Sequence, residues 1–143
     1  MKFQRYKPFT LLDQDVTLKN HLRREYIANG ALRNKEVDII MPTYNRYELL
    51  NKAISSVKKQ LHQKWKLYIC DDGSTDETSQ EYTNDACSKD VRIKYLPLSH
   101  QGVSAARNFG LKKSNNRFVS FLDSDNTWSP EYLCLMLTFM EIF

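Results

Sequence analysis

At 143 residues, 41% hydrophobic and 27% charged, the sequence has the length and composition of one ordinary globular domain. Its formal net charge of +4 is uneven, with eight Lys/Arg against four Asp/Glu in residues 1–36 and thirteen of each in residues 37–143. The balanced larger part has no nucleic-acid footprint, the three cysteines at unpaired spacings argue against a disulfide framework or zinc site, and no apolar run could span a bilayer.

Residues 10–29 read as an amphipathic helix, with Leu11, Leu18, Leu22 and Tyr26 near one face, Asp13 or Asp15 as a cap and Asn29-Gly30 as a stop. A basic helix of this kind suits packing on the domain, or contact with a partner or membrane surface. Arg33-Asn34-Lys35-Glu36 reads as a connector, so residues 1–36 form an extension ahead of a domain over 37–143. From residue 37 strands and helices alternate. Val37–Met41 is a β-branched run ended by Pro42, and Leu50, Ala53, Ile54, Val57 and Leu61 then recur at helical spacing. Trp65–Cys70 is a second strand, followed by a weaker helix over Glu77–Cys87. Val91–Leu96 alternates as a strand nearer a sheet edge would. Gly102–Lys113 is helical, offering Ala105, Ala106, Phe109 and Leu111 for packing. Phe118–Leu122 is a fourth strand, and Ser129-Pro130 opens a last helix as a cap followed by proline. Strands separated by helices of this length imply a mostly parallel α/β sheet with right-handed crossovers. All four strand C-termini then share one edge, where open α/β sheets bind ligands, and a reversal of order between the first and fourth strands would place a crevice there.

A polar motif follows each strand end or opens the next helix. Asp123-Ser124-Asp125 offers two carboxylates that can share a hard divalent cation, Mg²⁺ or Mn²⁺, with substrate phosphates. Asp13-Gln14-Asp15 has the same spacing but no strand before it, and reads as a cap or solvated loop. Asp71-Asp72 places adjacent like charges where one needs a donor, such as a uracil imide or ribose hydroxyl. Gly73-Ser74-Thr75-Asp76 beside them is also good turn and cap chemistry. Tyr44, after Pro42-Thr43, can stack on a base. Arg107, one turn after Gly102, can pair with phosphate or carboxylate. His21, His62 and His100 have no nucleophile or metal-ligand spacing nearby and read as loop or surface residues.

Taken in order, Val37 through Pro42-Thr43-Tyr44-Asn45-Arg46, Asp71 to Asp76, Gly102 through Ala106-Arg107-Asn108 and Gly110, and Phe121 through Asp123-Ser124-Asp125 resemble the motifs of family-two glycosyltransferases. The resemblance covers roughly residues 37–134. It implies a GT-A fold, an inverting transfer from a nucleotide sugar, UDP-sugars favoured, and a role in surface polysaccharide or glycolipid synthesis. It implies that Thr43, Tyr44, Asp72 and Arg107 hold base and ribose, with Pro42, Asn45, Arg46, Asp71 and Ser124 in the same donor site. Asp123 would lie on the ribose or phosphate side and share the metal with Asp125. Asn126 departs from an acidic residue often found there.

Family members continue into an acceptor-binding half that supplies a general base. After the D-x-D only Glu131 and Glu141 are acidic, and neither has the expected place, so the base is expected beyond Phe143 and the chain reads as a donor-binding half. Its last helix carries an apolar load on more than one face, which in a donor half alone predicts a bare patch and self-association. A cytoplasmic location, at the inner face of the membrane for lipid-linked acceptors, fits both the missing signal peptide and the resemblance. The alternative class is a non-catalytic nucleotide-binding or interaction module. A receiver-type signalling domain is disfavoured because the third strand ends in Leu96-Pro97 and not in a phospho-accepting aspartate.

Overall fold

The run Val37–Thr43 is buried at every position, as a strand must be when helices cover both faces of a parallel sheet. In the computed structural model, which describes residues 16–75 and 77–142, the elements follow in the order α1 (Val16–Ala28), α2 (Gly30–Arg33), β1 (Val37–Thr43), α3 (Tyr47–Lys58), β2 (Trp65–Asp71), α4 (Glu77–Lys89), β3 (Ile93–Pro97), α5 (Val103–Lys113), β4 (Phe118–Phe121) and α6 (Tyr132–Ile142). Leu11, the Asp13 or Asp15 cap and Asp76 lie outside the described residues. The sheet order is β3-β2-β1-β4 and every pairing is parallel. Order therefore reverses between β1 and β4, and the loops leaving those strands part to open a crevice. The alternating third strand is indeed at an edge.

One face of the sheet packs Leu50, Ala53, Ile54 and Val57 of α3 with Leu133 and Leu137 of α6. The other packs Ile40 and Cys70 against Ala106 of α5. Gly110 lets α5 lie flush, since a Cβ there would stand 2.6 Å from Ile40 Cγ2 and 2.7 Å from Cys70 Sγ. Close approach through Gly110 replaces the expected burial of Leu111, which is exposed. Leu61, expected on the α3 face, is exposed too, because α3 stops at Lys58. Buried Gln60 takes over the joint, donating to Ser129 O at 2.7 Å and accepting from the Leu133 N–H at 3.0 Å.

The N-terminal segment is built in more firmly than a connector would be. Asn29 ends α1 and caps the one-turn α2, its Oδ1 accepting from the Ala31 N–H at 3.1 Å. Leu18 and Leu22 of α1 pack on Leu135, Met136 and Phe139 of α6. Glu131 is held by Arg23 and by Lys19, the latter at 3.4 Å. Most of the apolar load expected to lie bare on α6 is thus divided between the sheet and α1, because α6 packs against both, while Met140 stays exposed. His62, expected at the surface, is buried between these layers. Its Nδ1 accepts from Tyr26 OH at 2.7 Å, and its Nε2 faces Lys35 O at 2.9 Å and Lys64 O at 3.1 Å. Burial lowers its pKa, so the neutral ring donating from Nε2 satisfies all three contacts. Leu22→Ala would leave a cavity at the α1–α6 seam and should lower unfolding free energy by about 2–4 kcal/mol in urea titrations. A change within about 0.5 kcal/mol would mean α1 is not part of the core.

Asp38, at the opposite end of β1 from the crevice, is fully buried. Its Oδ2 accepts from Ser114 Oγ (3.0 Å), Asn115 N–H (2.9 Å) and Asn116 N–H (2.9 Å), and its Oδ1 from Asn116 Nδ2 (2.8 Å). Burial alone would raise its pKa, but these donors together outweigh it and hold the carboxyl below the ordinary value of 3.8. A carboxylate within an apolar strand and the polar Ser114-Asn115-Asn116 turn are two halves of one anchor between α5 and β4.

Candidate functional site

Every wall of the crevice is a strand end tied to its neighbour. At the end of β1, Thr43 accepts the Asp72 N–H at 2.9 Å, which holds the first two loops in register. Asn45 adopts a left-handed φ of 48°, a conformation asparagine tolerates. Its N–H donates to Ser74 Oγ at 2.9 Å and its Oδ1 accepts the Thr75 N–H at 2.8 Å. Arg46 begins α3 with no side-chain cap bond and reaches across to Asp125 Oδ2 at 2.7 Å.

The adjacent acids after β2 divide their work. Asp71 accepts from the Ser74 N–H at 2.8 Å and from Tyr95 OH at 2.5 Å, so it is an internal turn and cross-strand anchor. Asp72 accepts from the Gln101 and Gly102 N–H groups, each at 2.8 Å, and fastens the start of α5 to the end of β2. Gly73, at φ 79°, lets the two segments touch, since a Cβ there would be 3.0 Å from the His100 backbone nitrogen. On α5, Arg107 extends to Asp123 Oδ1 at 2.6 Å. Beyond β4 the Leu122 N–H still bonds Ile40 O at 3.0 Å, which fixes the Asp123–Asp125 turn beside β1.

The result is a cleft of about 330 Å³ at the β1/β4 switch point. Of the residues expected in a site, Pro42, Thr43, Tyr44, Arg46, Asp72, Arg107, Asp123, Ser124 and Asp125 line it. Asn45 and Asp71 do not. Their polar atoms are engaged in the loop clamps just described, so they act by holding the wall and not by facing a ligand. Three lining residues had no site role in the sequence reading: His100, and Gly102 and Val103, which open the Gly102–Asn108 motif. The only hint for His100 was its place in the polar loop two residues ahead of Gly102. Thr43 is a buried lining residue, and its Oγ1 has no hydrogen-bond partner.

The electrostatics alternate. Asp123 and Asp125 each hold an arginine, and all four side chains are partly exposed. Among the described residues no three His, Cys, Asp or Glu converge as a metal cluster. A cation here would need phosphate oxygens to complete its shell, which is the manner in which Mg²⁺ sits with one or two carboxylates.

Residues 38–142 match the family model for glycosyl transferase family 2. This chain is a member of glycosyltransferase family 2. An uncharacterized glycosyltransferase of Rickettsia felis is 38% identical over 115 residues, 80% of this chain and 19% of that protein. The Escherichia coli enzyme WfgD, a UDP-Glc:α-D-GlcNAc-diphosphoundecaprenol β-1,3-glucosyltransferase, is 40% identical over 73% of this chain and 40% of its own length. Staphylococcus aureus TarS 1–349, in a crystal structure with UDP, superposes with a TM-score of 0.67 and 29% identity, over 75% of this chain and 32% of that one. The family-two chain is α/β with the GT-A fold, and it spans less than half the length of these relatives. No helix among the described residues is long and apolar enough to cross a membrane.

Proposed function

We propose that the cleft binds a nucleoside-diphosphate sugar, a UDP-sugar by preference, and serves an inverting transfer of the sugar to an acceptor hydroxyl in surface polysaccharide or glycolipid synthesis. The observation that carries this reading is the set of groups that one cleft brings together: Thr43, the Tyr44 ring, the Asp72 carboxylate, two arginines and two further carboxylates. Ring, acceptor and hydroxyl suit a base and ribose, and the charged end suits a diphosphate. The named activity of WfgD and the UDP complex of TarS support the same ligand class.

In this reading Tyr44 stacks on the base while Asp72 and Thr43 face its polar edge and the ribose. Arg107 and Arg46 stand beside the diphosphate and exchange part of their pairing with Asp123 and Asp125 for phosphate oxygens. Asp125 and Asp123 would hold a Mg²⁺ or Mn²⁺, which would supply Lewis-acid stabilisation of the leaving diphosphate. The acceptor proton needs a base. Glu131 is held by Lys19 and Arg23, Glu141 stands 3.6 Å from Lys35, and neither lines the cleft. The base is therefore assigned to the part of the relatives that this chain does not cover.

Calorimetric titration of UDP with and without Mn²⁺ tests the metal assignment. The unaltered chain should bind UDP about tenfold more tightly with Mn²⁺, and Asp125→Ala should lose that gain. An undiminished gain in Asp125→Ala would remove the metal from this position.

A further inference from the structure

The loop between β3 and α5 puts an imidazole where the base would go. The His100 and Tyr44 rings are stacked, with centroids 4.4 Å apart and planes 27° apart. His100 Nδ1 lies 3.0 Å from Asp72 O and 3.0 Å from Asp72 Oδ2. Facing two oxygens, this nitrogen carries the proton and donates. A planar heterocycle that lies on Tyr44 and donates an N–H to Asp72 is also what a uracil ring with its imide N–H would be. The spacing leaves no room for a third ring, since a sandwiched base would need roughly twice that separation.

We propose that His100 is an internal stand-in for the base, occupying its place on Tyr44 and Asp72 in the free protein, and that nucleotide binding displaces it. This inference rests on the base-site reading above. The backbone of the loop stays fixed while the ring moves. Leu98 N–H bonds Asp71 O at 2.8 Å, the Gln101 and Gly102 N–H groups bond the Asp72 carboxylate, and the His100 backbone lies so close to Gly73 that a Cβ there would stand 3.0 Å from its nitrogen. The His100 side chain, by contrast, is 59% exposed and can rotate out to solvent. Stacking plus one hydrogen bond at such a site is modest, so the competition is modest as well. The ring keeps Tyr44 and Asp72 covered until a ligand offers both contacts at once, and it sets a threshold against ligands that offer only one.

Calorimetry of UDP, uridine and inorganic pyrophosphate against the unaltered chain, His100→Ala and Asp72→Asn reads this out. His100→Ala should bind UDP and uridine about three- to tenfold more tightly and pyrophosphate unchanged, because only the base end is freed. In the unaltered chain the His100 ring resonances should move toward solvent-exposed values as uridine is added. Unchanged or weaker uridine binding in His100→Ala, while Asp72→Asn still loses it, would overturn the stand-in and make His100 a bystander or a stacking partner. Failure of the unaltered chain to bind UDP or uridine at all would overturn the base-site reading, and the stand-in with it.

Discussion

Asp72→Ala should abolish measurable UDP binding, a loss of about a hundredfold or more, and should also destabilise the fold by about 2–4 kcal/mol. Two effects combine because one buried carboxylate has two tasks. It accepts the backbone N–H groups of Gln101 and Gly102, so its removal leaves two donors unpaired at the start of α5. Those bonds set where α5 begins, and Arg107 lies one turn further on, aimed at Asp123. Loss of the anchor therefore disturbs the base end of the cleft directly and its phosphate end through α5. Asp72→Asn keeps one accepting oxygen and turns the other into a donor facing an N–H, so it should fall between. Calorimetry with UDP and urea titration of both variants separate the two parts. Full UDP affinity in Asp72→Ala would refute the site.

Asp38→Ala should give the complementary result, a loss of about 3–4 kcal/mol in stability with UDP affinity intact wherever the protein remains folded. The carboxylate serves four donors from Ser114, Asn115 and Asn116 at the N-terminal end of β1, across the sheet from the cleft. Its contribution depends on pH with a definite sign. A carboxyl whose folded pKa lies below 3.8 stabilises fully above that value, and the stabilisation fades as pH falls toward the folded pKa. The stability difference between the unaltered chain and Asp38→Ala should therefore be constant near neutral pH and shrink below about pH 4. A difference that grows on acidification would show that the donors do not hold the charged form.

The two acids show how far local reading reaches. Asp72 stood out because it is one of two like charges at a strand end, an arrangement that calls for a partner. Asp38 drew no role, since its four donors are 76 to 78 residues away in sequence and become neighbours only when α5 returns to start β4. His62 failed for the same reason. Its buried site is built by Tyr26 and Lys35, 36 and 27 residues away, together with the neighbouring Lys64 carbonyl.

Alone, the sequence determined the alternation of strands and helices and the polar groups near each strand end, because periodicity and capping act between residues close in the chain, although β1 runs through Pro42 to Thr43 where the proline was expected to end it. The order of its motifs was enough to reach the family. Tertiary structure decided what depends on which distant segments meet. Strand order put the β1 and β4 loops side by side. Partners from neighbouring loops turned Asp71 and Asn45 into anchors behind the wall, while Asp72, anchored as well, and Thr43 came to line the cleft. The crossover from β3 laid His100 on Tyr44, and the return of α6 gave α1 a surface to cover. Each of these follows from hydrogen-bond and packing partners that the chain acquires only on folding, when long-range contacts fix where each side chain can point.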